Sequence, residues 1–404
     1  MSNLSAIACH KSRPSRVRDA ALKNKMLRNI KIGSVCIFEG CHGSYSLPMA
    51  STSHQLGIYP VGPRGSFAIH ASKPQHHGGL AVQILRTAQG PQSLSSLQVI
   101  AAPLSEHSMD HQPFIAFNAQ STAEEVTAGL DLSGQTVLIT GCNSGLGYES
   151  ARVLASRGAH IIGLARTREK AAEAFAALGI SGDAVPCDLG DLTSVRAAVE
   201  EIQGLAPIDV LLANAGIMAL PELQQVAGFE RQFFVNHVGH FVLVTGLLER
   251  LAEAGRVVLV SSGAHFYAKR GLELDNLSGE TDYDPWRMYG RSKLANILFA
   301  RGLSRRFIGT LKTAVSLHPG VIETNLGRHV VDREAMYDKL RPMMKTVGQG
   351  AATQCFAAAH PSIAGITGVY LADCTLKKTI PEGADDELAE ALWQRSEEIA
   401  ADLA

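Results

Sequence analysis

Thr136-Val137-Leu138-Ile139-Thr140-Gly141-Cys142-Asn143-Ser144-Gly145-Leu146-Gly147 is the stretch from which the rest of the chain can be read. Five residues, mostly β-branched or apolar, run into a glycine, and an amphipathic pattern follows from Leu146 to Ser156. A continuous apolar run bounded by turn residues predicts a buried strand, and the apolar period after it predicts a helix. Gly141 permits a tight turn, Gly145 lets backbone approach a pyrophosphate, and Gly147 lets the helix pack closely on the strand. The start of that helix offers free N–H groups and a positive dipole end to phosphate oxygens. Spaced glycines are common in loops; their place between a strand and a helix gives these their meaning.

The same alternation continues toward the C-terminus. His160–Ala165, Asp183–Cys187, Asp209–Ala213, Arg256–Ser261, Thr313–His318 and Thr367–Leu371 read as strands. Between them, Arg168–Leu178, Leu192–Gln203, about Leu223–Leu251 and Pro285–Phe307 read as helices. Upstream, Ser121-Thr122-Ala123-Glu124 reads as a capping box opening a short helix. Near-continuously apolar strands separated by helices predict an α/β fold with a doubly wound parallel sheet, a Rossmann arrangement, in one domain over residues 109–404.

Residues 1–108 are of another kind. They hold eleven of the 37 Lys and Arg residues but three of the 38 acids (Asp19, Glu39, Glu106), and they are rich in Ser, Gly, Pro and His without sustained periodicity. Too little patterned apolar surface is present to offset the entropy of ordering, so a disordered basic extension is expected. It resembles an organelle transit peptide in composition. A start of translation at Met109 is the favoured explanation, because folded-domain patterning begins directly after it.

Whole-chain composition is ordinary, with 46% hydrophobic residues and a net charge of -1. It points to neither a nucleic-acid nor an anionic-membrane partner. No apolar run approaches the ~18 residues of a spanning helix. The seven cysteines are scattered and form no Cys-x-x-Cys pair, which fits a reducing compartment and makes the cytoplasm the default location.

Tyr289-Gly290-Arg291-Ser292-Lys293 carries the chemistry. Spacing of i, i+4 on a helix stacks the phenol and the ammonium on one face. A phenol titrates near ~10, and a neighbouring ammonium stabilises its anion and lowers that value. At the cofactor end, the second strand closes on Leu164-Ala165-Arg166-Thr167-Arg168 with no acid before Glu169. An acid about 20 residues beyond the glycines is what a free ribose 2′-hydroxyl requires. Arg166 instead suits a 2′-phosphate, which favours NADP(H) over NAD(H), with Ser144 adding a hydrogen bond.

The Gly-x-x-x-Gly-x-Gly spacing, Asp188-Leu189 after the third strand, Asn214-Ala215-Gly216 after the fourth and the Tyr-x-x-x-Lys pair after the fifth together resemble the short-chain dehydrogenase/reductase family. Asn-His-x-Gly-His-Phe from Asn236, the segment Gly271–Leu277 and Ser-Lys-Leu-Ala-Asn-Ile-Leu-Phe from Ser292 resemble its retinol dehydrogenase and WW-domain oxidoreductase branch. The resemblance spans about residues 120 to 402.

It implies an oxidoreductase transferring hydride between NADP(H) and a small-molecule carbonyl or alcohol. Tyr289 would be the acid/base, Ser262 would polarise the oxygen, Lys293 would tune Tyr289 and hold the ribose, and Asn236 would order a relay water. Cofactor contacts are implied at Gly141, Asn143, Ser144, Gly145, Leu146, Gly147, Arg166, Asp188, Leu189, Asn214, Ala215, Gly216, Tyr289 and Lys293. Further contacts are implied at Pro319, Gly320, Val321, Ile322 and Thr324. A homodimer through the fourth and fifth long helices is implied by analogy.

Tyr267, Trp286 and Met288, with the residues from Thr324 to Thr346, are the expected substrate contacts, and their many apolar side chains point to an apolar substrate. His237 and His240 stand at helical spacing, but neither a carboxylate nor a third histidine follows at ligand spacing, so helix packing is expected and no metal. Ser262 with His265 lacks the Gly-x-Ser-x-Gly elbow of a hydrolase. A non-catalytic NADP(H)-sensing protein would keep the glycine loop and lose the Tyr/Lys pair; here both are present.

Overall fold

The computed structural model describes residues 117–403, together with the backbone of five strand segments between Gly43 and Pro103. The chain divides into two units, Met1–His111 and Gln112–Ala404. In the first, Gly43–Met49, Thr52–Pro60 and Phe67–Ser72 form an antiparallel ladder, and Leu80–Leu85 pairs with Gln98–Pro103. The expected disorder of residues 1–108 and the expected start at Met109 otherwise lie outside the described residues.

The second unit is built on eight strands: β1 (Thr136–Thr140), β2 (His160–Ala165), β3 (Gly182–Pro186), β4 (Ile208–Ala213), β5 (Leu251–Val260), β6 (Thr313–His318), β7 (Tyr370–Ala372) and β8 (Thr375–Leu376). Their order is β8-β7-β6-β5-β4-β1-β2-β3, parallel except for the β7–β8 hairpin. Long helices cross between them: α1 (Gly145–Ser156), α2 (Arg168–Leu178), α3 (Leu192–Gln203), α4, α5 (Pro285–Arg306), α6 (Val347–Ala359) and α7 (Asp386–Asp402). Helix α4 is composite: a turn at Arg231–Phe233, a π-helical turn at Phe234–Val238 and an α segment at Gly239–Gly246.

Every residue of β1 is buried, because helices cover both faces of the sheet. Alternation along the strands divides the core: Leu138, Leu211, Val257 and Leu259 face the layer of α3, α4, α5 and α7, while Val137, Ile139, Val210, Leu212 and Val258 face α1 and α6. This is the expected doubly wound sheet. Two local expectations shift. The helix expected from Leu223 begins at Arg231, because Ala227 (φ 50°) and Gly228 (φ 82°) turn Gln225–Val226 back onto Phe229–Glu230 as a hairpin. The capping box lies one residue on, with Thr122 as cap and Glu125 as its partner.

Helix α5 is buried from Met288 to Ala300, since α7 lies along it. Trp393 of α7 packs edge-on against Phe241 (5.0 Å between centroids) and against Phe299 (5.6 Å), and the Arg306 guanidinium lies 3.6 Å from its ring centroid. The chain thus covers a face of α5 with its own C-terminal helix. No helix among the described residues is long and apolar enough to cross a membrane. Removing the indole leaves a large cavity beside the catalytic helix, so Trp393→Ala is expected to cost about 3–5 kcal/mol of stability. Equilibrium unfolding in urea measures this, and an unchanged midpoint would mean that α7 does not hold α5.

Candidate active site

The strand order reverses between β1 and β4, so their C-terminal ends open a crevice. The peptide after β1 turns sharply at Gly141 (φ 69°), whose N–H donates to the Leu164 carbonyl at 2.8 Å. Ser144 caps α1 in extended conformation without using its hydroxyl on the helix, which leaves that hydroxyl and the first-turn amides facing outward. A Cβ on Gly147 would stand 2.2 Å from the Gly141 carbonyl oxygen and 2.6 Å from Asn214 Nδ2, so helix and strand touch here through bare backbone. Gly145 (φ 56°) leaves 3.4 Å between a notional Cβ and Thr324 Cγ2, placing the segment after β6 against the glycine loop.

Asn214 joins the two strand ends. Its Nδ2 donates to the Thr140 carbonyl (2.9 Å), and its backbone N–H donates to Thr140 Oγ1 (2.9 Å). Thr140 and Gln354 are site-shaping residues that the motif reading missed. Gln354 Nε2 reaches Leu146 O, Ser150 Oγ and Asn214 Oδ1. A threonine as the last strand residue before the first glycine is the available signal for Thr140. Asp188 is tied locally, its Oδ1 accepting from Gly190 N at 2.9 Å, while Leu189 is buried against Gly239. Arg166 is exposed at the end of β2.

After β6 the chain passes through Pro319, Gly320 (φ 113°), Val321 and Ile322. The methylenes of Lys345 lie where a Gly320 side chain would be, and Lys345 Nζ pairs with Asp373 at 2.7 Å. That pair and the Val321–Met344 bridge hold the two ends of the segment between them together.

The chemical side chains come from β5, α4 and α5. Tyr289 and Lys293 are both buried on one face of α5, with Lys293 Nζ 5.7 Å from the Tyr289 ring centroid. Ser262, just past β5, stands near enough to the Tyr289 phenol to favour its ionised form, and its Oγ accepts from Ala264 N at 3.0 Å. Ser261 instead donates to Lys293 O at 2.7 Å, tying the strand to the helix. Asn236 lies in the π turn of α4. Its Oδ1 accepts from Ile217 N (2.8 Å), and its Nδ2 donates to Ile217 O and Ser292 Oγ (both 2.9 Å). Gly216 fills the remaining gap: a Cβ there would be 3.0 Å from Asn236 Oδ1 and 3.5 Å from Lys293 Nζ.

Electrostatics here follow burial. Burial raises the Tyr289 pKa well above the usual phenol value, and the Ser262 hydrogen bond opposes it. Burial likewise brings Lys293 down to about 8. The depressed phenol expected from a neighbouring ammonium is therefore not what the structure holds: desolvation dominates, and Lys293 Nζ donates to Val260 O at 3.0 Å.

Tyr267, half-exposed, packs against Trp286 (6.1 Å), and Trp286 against Tyr289 (6.4 Å), so aromatic rings lead from solvent to the phenol. Met288, expected to touch substrate, is instead fully buried, because one residue along α5 from Tyr289 turns its side chain into the core. His237 Nε2 lies 2.8 Å from Ser396 Oγ and packs among Phe233, Phe241 and Phe299.

Known proteins align along the same unit. The family model for short chain dehydrogenases matches residues 135–335. Short-chain dehydrogenase TIC 32 B, chloroplastic, of Brassica napus is 37% identical over 297 residues, 69% of this chain and 93% of its own. Retinol dehydrogenase 14 of Homo sapiens is 39% identical over 291 residues, 66% of this chain and 86% of its own. The WW domain-containing oxidoreductase of Homo sapiens is 35% identical over 298 residues, 70% of this chain and 72% of its own. With the glycine loop, the Asn-Ala-Gly turn and the Tyr/Lys helix in their places, the chain belongs to the short-chain dehydrogenase/reductase family, within the branch of the retinol dehydrogenases and WW-domain oxidoreductases.

Proposed function

We propose that the protein interconverts a carbonyl and an alcohol at the expense of NADP(H), with Tyr289 as the acid/base. The convergence of the Tyr289 phenol, Ser262 and a buried Lys293 is the observation that carries this reading. The nicotinamide, when bound, supplies or accepts the hydride. The bare-backbone cradle at Gly141, Gly145 and Gly147 fits a dinucleotide, as does the open N-terminus of α1 with Asn143, Ser144 and Leu146 around it. Asp188, Leu189 and the Asn214-Ala215-Gly216 turn would lie along it, and Pro319 to Ile322 with Thr324 would close over it.

In reduction, Tyr289 Oη gives its proton to the substrate oxygen as hydride arrives at the carbonyl carbon. Burial keeps the phenol protonated and ready to donate. Ser262 Oγ hydrogen bonds with the same oxygen, and Lys293 supplies positive charge that steadies the phenolate left behind. Asn236 ties the Gly216–Ile217 turn to Ser292, the residue before Lys293 on α5. The Tyr267–Trp286 wall and the exposed Val331 and Met343 support an apolar substrate.

NADP(H) is preferred on charge. Arg166 is exposed at the end of β2 with no carboxylate on its strand end, and Arg328 lies near both Arg166 and Arg231. The Arg328 guanidinium is made less basic by partial burial and then by those two cations, a crowding of positive charge that a 2′-phosphate would relieve. Buried free thiols at Cys142, Cys187, Cys355 and Cys374 support a reducing compartment such as the cytoplasm. A homodimer, if formed, would use faces other than the one α7 covers on α5.

Tyr289→Phe is expected to bind NADPH as the parent does while losing aldehyde or ketone reduction by about 10²–10⁴-fold. Fluorescence titration and NADPH-depletion assays read the two quantities; turnover unchanged in that variant would leave a nucleotide-binding protein. Because Lys293 loses its proton near 8, reduction is expected to fall as pH rises through that value while the phenol is still protonated. A kcat profile flat to strongly alkaline pH would contradict it. Arg166→Ala is expected to raise KM for NADPH by about tenfold or more and to leave NADH unchanged, the loss of a charge-assisted pair. Equal effects on both cofactors in steady-state assays would contradict that role.

A further inference from the structure

His240, on α4, touches neither the phenol nor the glycine loop, yet it is fully buried and bonded at both ring nitrogens. Its Nε2 lies 2.9 Å from Thr140 Oγ1, and its Nδ1 lies 3.0 Å from the Asn236 carbonyl oxygen. Thr140 Oγ1 already accepts two backbone N–H bonds, from Asn214 (2.9 Å) and Ala215 (3.0 Å). A hydroxyl has two lone pairs and one proton. Both lone pairs are taken, so the proton goes to the third neighbour, and Nε2 of His240 must accept it. The ring's own proton then sits on Nδ1 and is donated to Asn236. A second ring proton would leave Nε2 and the hydroxyl facing each other as donors, in a site where burial and Lys293 already oppose positive charge.

We infer that His240 is a positioning residue, a neutral imidazole protonated on Nδ1 that ties the Asn214–Ala215 turn to the Asn236 carbonyl. The bridge matters because of what lies above it. Asn236 contributes both ends of its side chain to Ile217 and one to Ser292, the residue before Lys293 on α5, and Gly216 is bordered by both Asn236 Oδ1 and Lys293 Nζ. Asn236 lies within the π turn at Phe234–Val238, and the imidazole four residues on bonds its carbonyl. Movement of Asn236 therefore shifts Ile217, the Gly216 turn and the Ser292 end of the α5 turn that carries Lys293. A misplacement of this size at a reacting centre costs turnover far more than it costs cofactor affinity.

This inference rests on the reading of Lys293 and Tyr289 as proton-handling groups, and its test has one arm that does not. Long-range proton–nitrogen correlation on ¹⁵N-labelled full-length protein at neutral pH, with His240→Leu identifying the resonance, should show Nδ1 protonated and Nε2 bare. The Nε2–H tautomer or an imidazolium would overturn the inference. In the second arm, His240→Leu should lower kcat about tenfold or more while the NADPH dissociation constant changes less than about threefold. His240→Asn, whose carboxamide can still reach the carbonyl one turn back, should recover most of that loss. Wild-type kcat in the leucine variant, or no recovery by asparagine, would overturn it. A parent protein without reductase turnover would overturn the reading of the site instead, and the tautomer would still decide the place of His240.

Discussion

The junction of Thr140 with Asn214 is the constraint on which the site depends. One carbonyl, one hydroxyl and one carboxamide fasten the C-terminal ends of β1 and β4 at the point where the sheet changes direction. On one side of the junction the backbone of Gly141 and Gly147 is pressed together, so that the start of α1 faces the crevice. On the other side Gly216 brings Asn236 and Lys293 to within contact of the same turn. The proposed recognition of a dinucleotide and the proposed handling of a proton would thus share one piece of backbone. A threonine and an asparagine, both small and both able to donate and accept, serve there because buried N–H and C=O groups must be paired.

Burial sets the electrostatic character of the pocket. A phenol and an ammonium one helical turn apart would, in water, favour their charged forms; here burial shifts both toward their neutral forms. The consequence for direction is physical. A protonated tyrosine is a donor in waiting, which suits reduction, and the lysine titrates close enough to neutrality to sense its surroundings. Ser262 is the third member, its oxygen held by the Ala264 N–H beside the phenol.

Much of this was legible in the chain. Strands and helices on either side of the glycine loop fall where apolar period and turn residues place them, and α2 and α3 begin and end at the expected residues. The motif residues Tyr289, Lys293, Ser262 and Asn236 do converge in space. What the sequence could not disclose was tertiary in origin. Periodicity carries a helix through Ala227-Gly228, whereas two positive φ angles make a hairpin there. Residue spacing puts Met288 beside Tyr289 in the chain, whereas helical geometry turns it into the core. The raised phenol pKa depends on how completely other elements exclude water, which no local motif encodes. Gln354 and His240 owe their places to neighbours more than 100 residues away or about that far.

The central claim is that the nicotinamide ring meets Tyr289 and Ser262 while the far end of the cofactor lies at Arg166. A crystal structure of the full-length protein with NADP⁺ tests it most directly. The account requires the carboxamide-bearing ring beside the Tyr289 hydroxyl, the ribose at Lys293 Nζ and the 2′-phosphate on the Arg166 guanidinium. A cofactor lying elsewhere, or one whose ring is turned away from the phenol, would contradict it.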